Sequence, residues 1–366
     1  MKFRRRGPAI LIACALLLIS AVTAVAHFLT NGLLESAHDG DYTLMRQVFA
    51  DTLSDAQDEV VSRAEIVAAM PEVRTAFAAR DRPKLLATTK RMWEIQDQRY
   101  ELNDATFHVP PGISFLRLSK PEVFGQDQSS SPLLADVHQL GVVKKGLTIA
   151  RSGPAIVGIA PVTDDAGKMI GSFGMVLDFA PQIDKIKHAY GLEAVLFFDE
   201  KMLRDTAADV PADIFSPRNQ VGRFIRFHTT NPELARALVT DKDVDVSEPK
   251  SYEREYARTS WGVQLVPIYN HASKRIGVAA LATDFGEDKR LARRAFVWQL
   301  LAALFAVVLM TGAILVVIRG FVLAPIASLG KSMAAGEAPD ELDSYCEEVR
   351  EVATAYTKIR AGRDES

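Results

Sequence analysis

Residues 161–179 read PVTDDAGKMIGSFGMVLDF, residues 267–285 read PIYNHASKRIGVAALATDF, and the two stretches align without a gap. The coincident positions are Pro161/Pro267, Ala166/Ala272, Lys168/Lys274, Ile170/Ile276, Gly171/Gly277, Asp178/Asp284 and Phe179/Phe285. Each copy reads as a strand end, a polar turn and a second strand, so each supplies the last hairpin of an antiparallel sheet. Recurrence of such a unit at a fixed offset indicates two related modules in tandem.

Working outward, short β-prone runs separated by turn residues precede the first hairpin at Ala105–Val109, Ser114–Leu118 and Ile156–Val162, with Met169–Asp178 inside it. Phe124–Pro132 is polar and reads as a loop, and Asp136–Leu140 as a short helix. Between the repeats the pattern predicts a helix over Pro181–Tyr190 and strands over Glu193–Asp199, Arg223–His228, Tyr252–Tyr256 and Val263–Ile268. Upstream the period changes. From Leu33 to Met70 the only glycine is Gly40, and Phe49, Leu53, Ala56, Val60, Ala64 and Val67 recur at helical spacing. A helix of that extent is roughly 60 Å long. Pro71 marks its end or a kink. A second helix over Arg82–Tyr100 follows from Leu85, Leu86, Thr89, Trp93 and Gln96.

Two uncharged runs, Pro8–Leu29 and Ala295–Ile318, lie near opposite ends. Each is long enough to cross a hydrocarbon core of about 30 Å as a helix. Arg4, Arg5 and Arg6 precede the first run and predict a cytoplasmic N-terminus. Two spans then put the central region outside and return the C-terminus to the cytoplasm. Lys289, Arg290, Arg293 and Arg294 crowd the outer flank of the second span against this bias, which loses force after a long translocated domain. A cleaved signal peptide ending at Ala24-Val25-Ala26 is the alternative to a retained anchor.

The expected organisation is a cytoplasmic N-terminus (1–7), a first transmembrane helix (8–29), and a stalk helix with a membrane-distal module (30–180). A membrane-proximal module (181–294), a second transmembrane helix (295–318) and a cytoplasmic helix pair (319–366) follow. The fold class is α+β: a long N-terminal helix with two tandem mixed antiparallel-sheet modules, flanked by two transmembrane helices. The outer region holds no cysteine, because Cys14 lies in the first span and Cys346 in the tail, so apolar burial and not disulfides must stabilise it.

The formal net charge of -3 gives no footprint for nucleic acid. The 7 histidines show no metal-ligand spacing, and there is no phosphate-binding glycine loop and no serine nucleophile elbow. No enzyme activity, cofactor or metal is expected.

Phe107-His108-Val109-Pro110-Pro111, Ser114-Phe115-Leu116-Arg117, Phe124-Gly125 with Asp127, Gly146-Leu147 and Gly158-Ile159-Ala160-Pro161 together resemble the double Cache sensor family, over essentially all of Thr30–Asp288. The resemblance implies a receptor whose two PAS-like (Cache) sheet modules share a long N-terminal helix and whose ligand sits in the membrane-distal module. Thr148 stands where glutamate is frequent, Val157 where arginine is frequent, and no arginine follows Ser130-Ser131, so the implied pocket is less charged than usual. After Arg319, Pro325 with Leu329, Gly336-Glu337 and Glu347-Glu348-Val349 resemble a HAMP relay, with Arg350 where that family has glycine.

His108 and Arg117, on neighbouring strands, are candidates to hold a carboxylate or other polar group. The competing reading is a core histidine and a structural ion pair of Arg117 with Asp127 or Asp178. Trp93 and Tyr100 are candidate aromatic walls, or core. Asp178 and Asp284 recur at the end of both repeats, which predicts strand-end or helix-cap carboxylates, with a ligand role open to Asp178 alone. The expected function is a homodimeric membrane sensor that binds a small extracytoplasmic molecule and relays its presence to a separate cytoplasmic effector. The rivals are a structural or adaptor protein with a degenerate sensor domain, and a secreted-face enzyme or binding protein tethered by one span after cleavage at Ala26.

Overall fold

The structure is a computed structural model that describes residues 3–100, 102–335, 350–355 and 357–358. The chain divides into two compact units, Ala37–Glu287 and the combined segments Met1–Ser36 and Asp288–Ser366.

Three helices open the chain: α1 (Phe3–Ala69), α2 (Pro71–Ala78) and α3 (Arg82–Tyr100). Helix α1 passes through Gly32 and Gly40 without a break and stops at Pro71, where Met70 turns extended (ψ 126°) and the proline takes the first helical position. The expected stalk therefore continues the first apolar segment as one helix.

Strands β1 (Leu102–Val109) and β2 (Ile113–Arg117), helix α4 (Pro132–Leu140), and strands β3 (Lys144–Ala150), β4 (Gly153–Thr163) and β5 (Met169–Asp178) make the first module. Its antiparallel sheet has the order β2-β1-β5-β4-β3. Helix α5 (Ala180–Tyr190) leads into the second, formed by β6 (Glu193–Asp199), α6 (Glu200–Thr206), β7 (Gln220–Val221), β8 (Phe224–Thr229), α7 (Pro232–Leu238), α8 (Asp241–Val244), β9 (Lys250–Tyr256), β10 (Thr259–Tyr269) and β11 (Arg275–Asp284). Its order is β7-β8-β6-β11-β10-β9. Strands β3 and β7 and helices α6, α7 and α8 were not expected. Strand β3 is an edge strand that opens on Lys144 and Lys145, and it shows no long apolar alternation.

The repeated hairpins are the same down to their turns. Asp164 Oδ1 accepts from the N–H groups of Ala166 (3.0 Å) and Lys168 (2.8 Å), and Asn270 Oδ1 from those of Ala272 (3.0 Å) and Lys274 (2.9 Å). Gly167 (φ 77°) and Ser273 (φ 56°) take the matching left-handed position. Gly171 and Gly277 are required by close approach: a Cβ would stand 2.3 Å from the carbonyl oxygen of His108 in one sheet and 2.3 Å from that of Phe197 in the other.

Both hairpins end on α1. Phe179 packs against Phe49 (ring centroids 6.2 Å), and Phe285 stacks on His38 (3.7 Å) and meets Tyr42 edge-on (5.5 Å). The main core joins α1 residues Met45, Phe49, Val60 and Ala64 to Phe107 and Phe173 of the first sheet and to Leu196, Phe198 and Leu281 of the second. Strand β4 lies so close to α1 that a Cβ on Gly158 would meet Val61 Cα at 2.5 Å. One helix thus serves as the common wall of two sheets.

The second unit contains the start of α1 with α9 (Gly286–Ile318) and α10 (Ala324–Ala335). His27 packs against Phe296 (4.7 Å), and Gln299 Nε2 donates to Thr30 Oγ1 (3.5 Å). Among the described residues, two helices, α1 and α9, are long and apolar enough to cross a membrane, and their apolar windows are unburied. Residues 350–355 and 357–358 are helical. The helix exit at Gly336-Glu337, the connector with Cys346, the acidic start at Glu347-Glu348-Val349, Tyr356 and Ile359 lie outside the described residues.

Candidate functional site

Strand β1 carries polar residues at every second position: Asp104, Thr106 and His108 are all buried, while Ala105 and Phe107 between them fill the α1-side core. Period-two alternation therefore sends a polar stripe to the other face of a central strand. His108 pairs with Ser114 on β2 and with Ser172 on β5, so register alone lines up Ser114, His108 and Ser172 across three strands. All are nearly closed to solvent, at 1%, 5% and 0% exposure.

The rest of that face is apolar. Val157 and Ile159 of β4 and Val176 of β5 pack under Leu133, Leu134 and Val137 of α4. Helix α4 also brings His138 over the polar row, with its Nε2 2.9 Å from Ser172 Oγ. The segment after β2 closes the other side. Gln128 Oε1 lies 3.3 Å from His108 Nε2, and the Gln126 carbonyl accepts from the Ser114 N–H (2.9 Å).

Among the described residues, two polar atoms of the Ser114, His108 and Ser172 row lack a hydrogen-bonding partner: His108 Nδ1 and Ser114 Oγ. With Gln128 Oε1 accepting from Nε2–H, Nδ1 is the bare acceptor of a neutral imidazole. Burial pushes the His108 imidazole down to about 4, against the Gln128 hydrogen bond and helped by nearby His138. Burial also lowers His138, against the Pro111 carbonyl. Both rings are accordingly uncharged at neutral pH. Leaving a buried polar atom unpaired costs about 1–3 kcal/mol.

Arg117 projects from β2 toward the same face, but it is already engaged. Its Nε lies 2.6 Å from Asp104 Oδ2, and both side chains are about one-tenth exposed. Ser119 Oγ (2.6 Å) and the Ala105 N–H (2.8 Å) donate to the other oxygen of Asp104. The ion-pair partner of Arg117 is Asp104, and neither Asp127 nor Asp178. Asp127 is exposed and accepts from the Ser129 N–H (2.8 Å).

Asp178, at the end of β5, accepts from Asn103 Nδ2 (2.5 Å). Its counterpart Asp284 accepts from the Gly286 N–H (2.6 Å) at the start of α9, so of the two expected forms Asp178 is a strand-end carboxylate and Asp284 meets a helix start. Trp93 packs against the α1-side core, and Tyr100 is exposed with the Arg63 guanidinium 4.4 Å over its ring. The structure thus gathers His108, Arg117 and Asp178 on one face and leaves Trp93 and Tyr100 off it. It adds Ser114, Gln128, His138 and Ser172. The one signal for this in the sequence is the alternation of Asp104, Thr106 and His108 within an otherwise apolar strand.

A family described as the double sensory domain of two-component sensor kinase matches residues 41–287. No curated protein matches the chain. Among solved structures, it is similar to the sensory domain of the Campylobacter jejuni chemoreceptor Tlp3 with isoleucine bound, at 14% identity and a TM-score of 0.42 over 70% of this chain and 96% of that one. It is similar to the sensor domain of the V. cholerae histidine kinase DctB at 10% identity and a TM-score of 0.41, over 68% of this chain and 97% of that one. Similarity to an extracellular ligand binding receptor from Desulfohalobium retbaense is 15% identity with a TM-score of 0.38, over 64% of this chain; the chain spans 39% of that receptor. The family match runs over more than half of the sequence and takes in both sheets built on α1, and by it this chain belongs to the double Cache family of sensory domains.

Proposed function

We propose that the chain is a two-pass membrane receptor that binds a small ligand on the His108 row of its first sheet and relays the event through α9 to a separate effector. The row of buried polar side chains with unpaired atoms at His108 Nδ1 and Ser114 Oγ is the observation that carries this reading. Buried polar atoms without partners call for a water or a ligand. The ligand class that fits is a neutral molecule with hydrogen-bonding groups. Arg117 is neutralised by Asp104 and the imidazoles are uncharged, so a buried anion would find no countercharge on this row.

In this reading the first module is membrane-distal, 8–29 and 295–318 are the spans, and both termini are cytoplasmic. Strand β11 ends at Asp284 and α9 begins at Gly286, so a change in the second sheet reaches a membrane helix across one residue. The segment 319–366 acts as a HAMP-like relay in a homodimer, because short helices with one apolar seam need a partner to bury it. A ligand couples to that relay only by preferring one of two arrangements.

The test uses isosteric pairs on the full-length protein in nanodiscs: acetamide against acetate, and lactamide against lactate. A saturable rise in unfolding midpoint with an amide, absent in His108→Phe and Ser114→Ala, supports the proposal. A rise with the anions that disappears in Arg117→Gln would replace the neutral ligand with an acid, and no rise with either member would remove the ligand site.

A further inference from the structure

The matching position in the second sheet holds a different kind of orphan. Ser114 pairs with His108 in the first ladder, and Arg226 of β8 pairs with Phe197 of β6 in the second. Arg226 is 7% exposed. Its Nη1 donates to the Arg218 carbonyl (3.2 Å), whereas its Nε is buried with no partner among the described residues. Among the described residues no carboxylate lies within ion-pair distance of it. Arg117 and Arg254, by contrast, are matched by Asp104 at 2.6 Å and Asp243 at 2.8 Å. Burial lowers the Arg226 guanidinium, and the charged group that acts on it is Arg236 of α7, a second cation.

A guanidinium keeps its charge at any physiological pH, so it cannot escape burial by losing its proton as a lysine or histidine can. A closed-in cation beside another cation is costly unless an anion completes the pair. The free Nε–H is one donor of the fork that guanidinium offers to planar or tetrahedral oxyanions.

We propose that the second sheet carries an anion site on Arg226, for a small soluble carboxylate or phosphate-type oxyanion. The site is independent of the His108 row, which lies in the other sheet and fits a neutral ligand. The receptor would then read two chemically distinct species, one in each module.

The test is anion replacement on the full-length protein at constant ionic strength, with unfolding midpoint as the readout. Chloride is exchanged stepwise for acetate, inorganic phosphate or sulfate in dodecyl maltoside. The expected result is a saturable rise with at least one of the three. A response to acetate alone assigns a carboxylate, and a response to phosphate and sulfate assigns a tetrahedral oxyanion. Arg226→Met should raise the midpoint in chloride, because an unpaired buried charge is gone, and abolish the anion-dependent rise.

Equal rises in wild type and Arg226→Met, or no rise with any anion, overturn the proposal. If the methionine variant does not fold, Arg226→Lys decides. It keeps the charge and loses the fork, so apparent affinity should fall about tenfold, and an unchanged affinity overturns the site. A rise given by phosphatidylglycerol nanodiscs and by none of the soluble anions would make the ligand a lipid headgroup and overturn the soluble assignment.

Discussion

The two sheets share a hairpin down to its side-chain hydrogen bonds, yet their central strands turn different chemistry away from α1. Matching ladder positions hold His108 and Phe197, Ser172 and Val278, Thr106 and Val195. In the first sheet these make a buried polar row; in the second they join Leu234 and Leu238 of α7 in an apolar cluster. Only the edge of the ladder keeps its chemistry, with Asp104 paired to Arg117 and Glu193 to Lys187 (3.1 Å). The duplicated part is the part that touches α1. On the face turned away from the helix, the central strand of the first sheet buries polar groups where that of the second buries apolar ones, and a self-contained core has no use for the former.

The largest effect should come from breaking what the sheets have in common. Phe179→Ala and Phe285→Ala each remove a fully buried ring at the point where a hairpin meets α1, and each should cost about 3–5 kcal/mol. Thermal unfolding of the full-length protein checks this. Similar losses for the two variants mean that the sheets lean equally on the helix, and a loss confined to one means that they do not.

The next effect separates the sheets by pH. His108 has an ordinary value of 6.5 when unfolded and about 4 when folded, so the unfolded chain binds the extra proton first. The stability tied to the neutral ring is complete above pH 6.5 and is lost as pH falls from there toward 4, by roughly 3 kcal/mol in all. His108→Phe copies the residue found at the matching position of the second sheet and should remove that loss. The midpoint difference between pH 8 and pH 4.5, compared in wild type and variant, isolates it from the carboxylates common to both. An unchanged difference would mean that the ring is already charged or open to water.

A smaller effect concerns the turns. Asp164→Ala and Asn270→Ala each delete a side chain that accepts two backbone hydrogen bonds, and each should lower stability by about 1 kcal/mol. Asp164→Asn should be nearly silent, because the second hairpin makes the same turn with asparagine.

How much of this was legible depends on the range of the interaction that decides it. The hairpins, the break at Pro71 and helix α3 are written locally, in turn residues, one proline and a period of three to four. Composition changes near residue 30, where the apolar run gives way to the stalk, but composition does not end a helix, and α1 runs through both. Trp93 shows the limit on the site. Its helical spacing says that it is buried, and nothing in the spacing says against which face of the sheet. Ser114 and Ser172 are small and common, and they become a site only through the register that sets them beside His108. Arg117 was readable as a pocket cation or an ion-pair partner, and its distance to Asp104 shows it paired.

The subtlest prediction asks whether the two sheets communicate. Helix α4 carries His138 over the polar row, and two residues earlier Asp136 accepts from His271 Nε2 (2.7 Å) at the tip of the second hairpin. The His271 hydrogen bond holds the Asp136 carboxyl below the usual carboxylate range. Residues two apart on a helix lie on different sides of it, so α4 can be pulled from the row and from the second module at once. Asp136→Asn should therefore leave the midpoint almost unchanged while amide exchange quickens in α4 and in the 270–274 turn and not in the β6–β8 ladder. If exchange quickens in the ladder as well, the bridge is merely one brace among many, and if it changes nowhere, α4 carries no message between the sheets.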